Sequence, residues 1–373
     1  MYAEVIVDIA SEQVDRVFTY RVPDTFRTVV CPGSRVRVPF GFREKEGFVL
    51  RLKDTPDMDE SRVKNILAPL EDYPALLPPL VALAQEIREK THCPLCEALR
   101  LMLPAQMRGG RVKVKTETCL QLAFPPEQVE EAIARQGRAS SRKMILTALS
   151  DGGVHPLEEI RALVRNCAEP LRYLTEREMV RTFEREVLRA PAQYASVAPT
   201  EEPPLTEAQQ EVLGELTGAL DKPGGSRLFL LHGVTGSGKT EVFIRLTREV
   251  LRRGRDVIIL VPEIILTPQM INWFRSRFGE DMAVLHSRLT PGERFDEWRR
   301  IRLGRARIVI GARSAVFAPV SHLGAIIVDE EHEQTYISDH YPPYDAREIA
   351  RSRVIREGGE LLLSSATPSI LSY

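Results

Sequence analysis

Two short stretches carry the residue types needed to handle a phosphoanhydride. GVTGSGKT, Gly233 to Thr240, has the spacing G-x-x-x-x-G-K-[ST], whose glycines let successive backbone N–H groups turn inward on phosphate oxygens. Gly233, Val234, Thr235, Gly236, Ser237 and Gly238 would form the cradle. Lys239 would reach the β and γ phosphates as a point charge, and Thr240 would offer its hydroxyl to Mg²⁺. DEEH, Asp329 to His332, follows the apolar run AIIV. There Asp329 would hold Mg²⁺ through water, and Glu330 would polarise a water in line with the γ phosphate. The plain alternatives are a structural glycine loop and a solvated helix start. Two unrelated stretches that fit one chemistry favour hydrolysis of a nucleoside triphosphate, ATP.

The elements around these stretches suit the task. RLFLLH, DVIILV, MAVLH, RIVIG, AIIVDE and ELLLSS are continuous apolar runs separated by longer, charged, helix-compatible segments. Continuous runs belong to strands buried on both faces, so residues 205–373 read as a parallel sheet covered by helices, with the cradle between a strand and a helix. Residues 1–105 have a different texture. AEVIVDIA, RVFTYRVP, SRVRVPF and EGFVLRL alternate and are broken by Pro and Gly, the pattern of a small antiparallel sheet or barrel, and the helical patch PPLVALAQEIREKTHC follows. Between them, residues 106–195 read as three short helices (SRKMILTALSDGG, PLEEIRALV, AEPLRYLTEREMVRTFEREVLR) with a possible β-wing, either a winged helix or a helical spacer. SVAPTEEPP marks a linker at 196–204.

Bulk composition limits the rest. The 373 residues hold 51 Lys and Arg against 52 Asp and Glu, a formal net charge of −1, so any contact with nucleic acid must come from local clusters of cations. Five cysteines at scattered positions make no disulfide framework and fit a reducing compartment. Cys93 and Cys96 in CPLC have zinc-knuckle spacing without a second pair nearby; the other reading is two small residues at a helix start. No apolar run could cross a bilayer and no leader precedes the first strand, which sets a cytoplasmic protein with no membrane partner as the expectation.

DEEH, SSATPS (Ser364 to Ser369) and VPEIILTPQM together resemble the first motor lobe of a superfamily two helicase. More closely, GVTGSGKTEVF, PEIILTPQ, LHSRLTPGER, IVIGARSAVFAP and DEEHEQTY resemble the primosomal protein N′ (PriA) family of replication-restart helicases. RVRVPFG and LRLMLPAQMRGG extend the likeness to the first hundred residues. The resemblance implies three units: a β-barrel-like domain that binds DNA 3′ ends, a winged helix, and a RecA-like α/β motor lobe. It implies an ATP-dependent 3′-to-5′ DNA helicase of bacterial, nucleoid-associated replication restart. Forked and single-stranded DNA, restart proteins and single-stranded-DNA-binding protein are the implied partners. Gln209 would read adenine, His332, Ser365 and Thr367 would couple the γ phosphate to DNA, and Arg313 and Ser314 would touch its backbone. Phe18, Thr19, Gly41 and Lys64 correspond to the 3′-end pocket: Phe18 stacking on the terminal base, Gly41 allowing close backbone approach, Lys64 neutralising phosphate. Thr19 stands where the family often has an aspartate, and a hydroxyl is the weaker acceptor for a terminal 3′ hydroxyl.

After DEEH the family carries an aromatic-rich loop. Here TYISDHYPPYDARE offers Tyr336, Tyr341 and Tyr344, which either stack on unpaired bases or pack the loop down. The sequence stops at Tyr373, after the third motor motif, without the second lobe or the family's zinc-binding cysteines. The expectation is an N-terminal portion that binds DNA and ATP, with hydrolysis weak, unwinding absent and zinc confined to the missing half. A repair- or restriction-type translocase and a non-enzymatic fork-binding module are the rival readings.

Overall fold

The structure, a computed structural model, describes residues 1–110, 112–189, 203–222 and 227–370. Most of the linker expected at 196–204 lies outside the described residues. Two compact units form: residues 1–112 with 190–373, and residues 113–189.

The first unit opens with five strands, β1 (Tyr2–Val7), β2 (Val17–Arg21), β3 (Arg35–Phe40), β4 (Arg43–Lys53) and β5 (Ala68–Pro69), in the order β2-β1-β4-β3-β5. Alternation sends Ala3, Val5 and Val7 into one apolar cluster with Tyr20, Val36, Val38 and Val49, and sends Ile6 and Phe48 to the opposite face. The sheet curls until its ends meet. Phe18 lies edge-on to Phe40 at 5.1 Å, the Tyr20 hydroxyl donates to the Pro39 carbonyl at 3.2 Å, and the Lys64 to Leu67 segment bridges Arg21 and Arg37 through backbone bonds. The barrel expected from the alternating runs is therefore present. Helices α1 (Pro78–Thr91) and α2 (Leu95–Leu101) cover its outer face.

The second unit contains β6 (Thr116–Leu122), α3 (Val129–Ala134), α4 (Ser140–Ala148), β7 (His155–Pro156), α5 (Leu157–Leu163), α6 (Ala168–Glu176) and β8 (Val180–Glu186). Its helices enclose Leu120, Ile145, Leu146, Leu149, Ile160 and Leu174. Two features depart from the sequence reading. The run from Ala168 to Arg189 turns to strand at Val180. The partner of that strand is β6, which precedes the helices and pairs with β8 from Thr116↔Glu186 to Leu122↔Val180. TETCLQL alternates, yet it sits alone among polar residues, and its strand character comes from the long-range pairing.

Returning to the first unit, the motor region holds α7 (Glu207–Leu220), β9 (Arg227–His232), α8 (Lys239–Arg252), β10 (Asp256–Leu260), α9 (Pro268–Phe278), β11 (Met282–Leu285), α10 (Pro291–Arg302), β12 (Ile308–Gly311), β13 (Leu323–Val328), β14 (Ile337–Ser338), β15 (Tyr344–Asp345), α11 (Ala346–Glu357) and β16 (Glu360–Ser365). Six strands pair in parallel in the order β11-β12-β10-β13-β16-β9. These are the six apolar runs of the sequence. Successive residues feed opposite layers: Val257 and Ile259 join the cluster under α8 and α9, whereas Ile258 and Leu260 join the one under α10 and α11. That second cluster continues without a break into α1 and α2, through Leu80, Leu83, Leu99 and Met102. Polar ties cross the same boundary: Trp298 Nε1 donates to the Met102 carbonyl at 3.3 Å, and Glu86 binds Arg356 at 2.8 Å and also Ser352.

Candidate nucleotide site and nucleic-acid interface

The glycine turn, the acidic turn, GARS and SSATPS each sit where a parallel strand ends, the edge at which open α/β sheets bind ligands. The cradle leaves β9. Gly236 (φ +81°) and Gly238 (φ +78°) take left-handed backbone, and a Cβ on Gly238 would lie 2.4 Å from Gln209 Nε2. No backbone bond among the described residues takes the N–H of Gly236, Gly238, Lys239 or Thr240, which leaves these donors at the start of α8 for an anion. Lys239 Nζ donates to the Gly233 carbonyl at 2.6 Å and lies 4.0 Å from Glu330 Oε1. A glycine-walled ring of free donors, one ammonium, and Thr240 and Asp329 as oxygen donors fit a nucleotide triphosphate with Mg²⁺, a cation that keeps much of its water and takes few protein ligands.

Gln209 is brought to the cradle by α7. Thr206 and Gln209 form a reciprocal cap, the Thr206 N–H donating to Gln209 Oε1 at 2.9 Å and the Gln209 N–H to Thr206 Oγ1 at 3.3 Å. Its Nε2 donates to the Ser237 carbonyl at 3.0 Å, so the amide here ties α7 to the cradle.

The acidic turn leaves β13, two strands from β9. Glu330 adopts φ +44°, a sharp bend after Asp329. Asp329 is 9 % exposed and accepts from the Glu330 N–H at 3.1 Å and the Ser364 hydroxyl at 3.3 Å. Burial pushes its carboxyl above the usual carboxylate range and the Glu330 charge adds to this, against the two hydrogen bonds and Lys239. The intervening strand β16 joins the two motifs. The Gly233 N–H donates to the Ser365 carbonyl at 3.2 Å, while Ser365 Oγ lies 2.7 Å from His332 Nδ1 and accepts from the Thr367 N–H at 3.0 Å. His332, Ser365 and Thr367 thus meet.

Three residues of this network escaped the sequence reading. Glu331 is fully buried, and its carboxylate accepts from the Ser369 N–H at 2.6 Å and the Ser369 hydroxyl at 3.1 Å; Arg347 Nη1 donates to the Glu331 carbonyl at 2.7 Å. These bonds pin the chain after Thr367 to the acidic turn. The doubled Glu of DEEH was the available signal.

The expected DNA contacts divide. Ser314 is exposed, and Arg313, after β12, donates through Nη1 to the Ile337 carbonyl at 2.6 Å. Tyr344 is half-buried, edge-on to Phe317 at 4.9 Å. Tyr336 corrects its expectation as a stacking residue. Its ring is 1 % exposed and its hydroxyl donates to the carbonyls of Asp329 (2.5 Å) and Leu260 (3.1 Å), so it props the acidic turn and presents no face to a base. Tyr341 is exposed.

On the barrel, Gly41 turns β3 into β4 at φ +59°, and Phe18 reaches this hairpin through Phe40. Lys64 is exposed in the bridging segment and Thr19 is half-exposed on β2. Phe42, beside Gly41, is fully exposed, a large apolar ring for which the fold offers no packing partner; the pattern GF in a hairpin turn was its only mark. Cys93 and Cys96 are buried, with Cys96 Sγ donating to the Ile9 carbonyl at 3.2 Å, and the described residues contain no group of three His, Cys, Asp or Glu placed to hold a metal. Among them no helix is long and apolar enough to cross a membrane.

Residues 4–104 match the family model for the PriA 3′DNA-binding domain (3′BD), and residues 206–372 match the DEAD/DEAH box helicase model. The chain is similar to the replication restart protein PriA of Bacillus subtilis (33% identical over 434 residues, 100% of this chain and 54% of the relative). It is similar to those of Chlamydia pneumoniae (32% over 380 residues, 100% and 49%) and Treponema pallidum (47% over 182 residues, 49% and 27%). It spans about half the length of the curated relatives it matches from end to end.

Proposed function

The chain belongs to the PriA family of replication-restart proteins, and from that premise we propose that it serves as an ATP-driven 3′-to-5′ DNA helicase that engages stalled forks through a free 3′ end. The observation that carries the reading is the approach of Lys239 to Glu330, 4.0 Å, across the carboxyl edge of one parallel sheet. ATP with Mg²⁺ would supply the free energy by cleavage between its β and γ phosphorus atoms. The cradle N–H groups and Lys239 hold the phosphate chain, Thr240 and Asp329 hold the cation, and Glu330 orients a water and accepts its proton. Ser365 touches the cradle and His332 together, so a change at the phosphates moves the strand end that bears Thr367. In the barrel, Phe18, Gly41 and Lys64 receive a DNA 3′ terminus, with Thr19 as a neutral acceptor.

Binding to labelled forks with and without a leading-strand 3′ end tests the restart role. Tighter binding to the fork with the free end is the expected result. Equal affinity would leave the motor and remove the restart assignment, in favour of a repair- or restriction-type translocase. DNA-stimulated ATP turnover tests the motor itself.

A further inference from the structure

On the carboxyl edge of the motor sheet lies a cleft of about 820 Å³ that excludes the cradle. Some of its lining is the motor's own, including His286, Arg294, Arg313 and Tyr344. The rest is the end of α2 and the segment after it, Arg100 to Ala105 with Arg108, which belongs to the barrel's side of the molecule.

Two of the cations here are held without being neutralised. Arg294 Nη2 donates to the carbonyls of His286 (3.0 Å) and Ser287 (2.9 Å), and Arg313 Nη1 to that of Ile337. Carbonyls orient a guanidinium but leave its charge. Arg108 has neither a hydrogen bond nor an ion pair among the described residues, and its Nε is buried without an acceptor. Arg100, which also lines the cleft, is paired with Asp8 and Glu97. Glu263 is the single carboxylate among the described lining residues, and it already accepts from Ser287. Oriented guanidinium groups, one with an orphaned donor, call for phosphate oxygens. Rings of Tyr344 and His340 along the same cleft add faces on which unpaired bases stack, the combination that suits a single strand.

We propose that Arg108, contributed from outside the motor, contacts a backbone phosphate of the single strand in this cleft together with Arg294. The proposal rests on the helicase reading and deepens it: the strand path is completed by the segment that trails the barrel. Its test is the salt dependence of fluorescein-labelled oligo(dT) binding by the full chain. R108A is expected to weaken binding several-fold and to lower the slope of log Kd against log salt by about 0.7, one phosphate contact on a single strand; R108K keeps the slope and R294A lowers it likewise. If R108A melts early, R108Q against R108K makes the same comparison in a fuller side chain. A wild-type slope in R108A or R108Q overturns the proposal and leaves the helicase reading standing. Failure of the unaltered chain to bind oligo(dT) overturns both.

Discussion

The candidate nucleotide site and the barrel rim proposed to receive a 3′ end are built by opposite means. At the former, three strand ends of one parallel sheet bring backbone and side chains into a closed set of bonds, with Ser365 touching Gly233, His332 and Thr367. At the latter, a curled antiparallel sheet presents separate side chains at its rim: Phe42 and Lys64 are exposed, and Phe18 lies edge-on to Phe40 with the Arg16 guanidinium over its ring. A closed network fixes geometry for chemistry at defined atoms. An open rim suits a ligand whose bases vary and whose terminus is recognised mainly by shape and charge.

The contrast can be broken first at the cradle. Lys239→Ala removes a charged donor and should weaken ATP binding by ~1.5–3 kcal/mol, on the order of 10- to 100-fold, while 3′-end affinity holds. Calorimetric titration with ATP beside a DNA-binding assay reads both, and parallel losses would mean that the two sites are one. Tyr336→Phe keeps the ring and removes the hydroxyl that donates to the buried Asp329 carbonyl and, beside the Asp329 N–H, to that of Leu260. Stability should fall by about 1–3 kcal/mol in denaturant titration, with oligonucleotide affinity unchanged; a loss of affinity alone would restore Tyr336 as a DNA contact.

At the rim, Phe42→Ser should leave stability within about 0.5 kcal/mol. If the ring stacks on a base, it should reduce affinity for a 3′-tailed oligonucleotide by ~1 kcal/mol or more. Unchanged affinity would confine recognition to Phe18 and Lys64.

The smallest effect concerns the junction between the regions. Burial disfavours the charged form of Glu86, but hydrogen bonds from Lys90, Ser352 and Arg356 outweigh it and hold the pKa at about 2. A lowered pKa stabilises the fold above the unfolded value near 4.5, and that contribution disappears as pH falls toward 2. Glu86→Gln should therefore cost about 1 kcal/mol or less at pH 7 and flatten the acid limb of a pH-dependent melting series between those values. An unaltered acid limb would show that the Glu86 ties add nothing to the junction.

Much of this was legible in the chain. The six buried strands were plain because a strand covered on both faces must be apolar at every position, as in AIIV and VIIL. Gly238, Lys239 and Asp329 could be named because their chemistry demands fixed residue types at fixed spacing. Strand β6 was passed over, since TETCLQL owes its form to β8, sixty residues on. The tyrosines were ambiguous for a similar reason: a ring after DEEH can face either a channel or the core, and local sequence does not distinguish them.

Spacing and residue type by themselves determined the glycine turn, the acidic turn and the six buried strands, because each depends on neighbours within one turn or one strand. Only the tertiary fold decided that Tyr336 props Asp329 from inside, that Glu331 clamps Ser369, and that Arg108 lines a cleft otherwise belonging to the motor. Those outcomes depend on which side chains long-range packing buries together, and burial is a property of the folded whole.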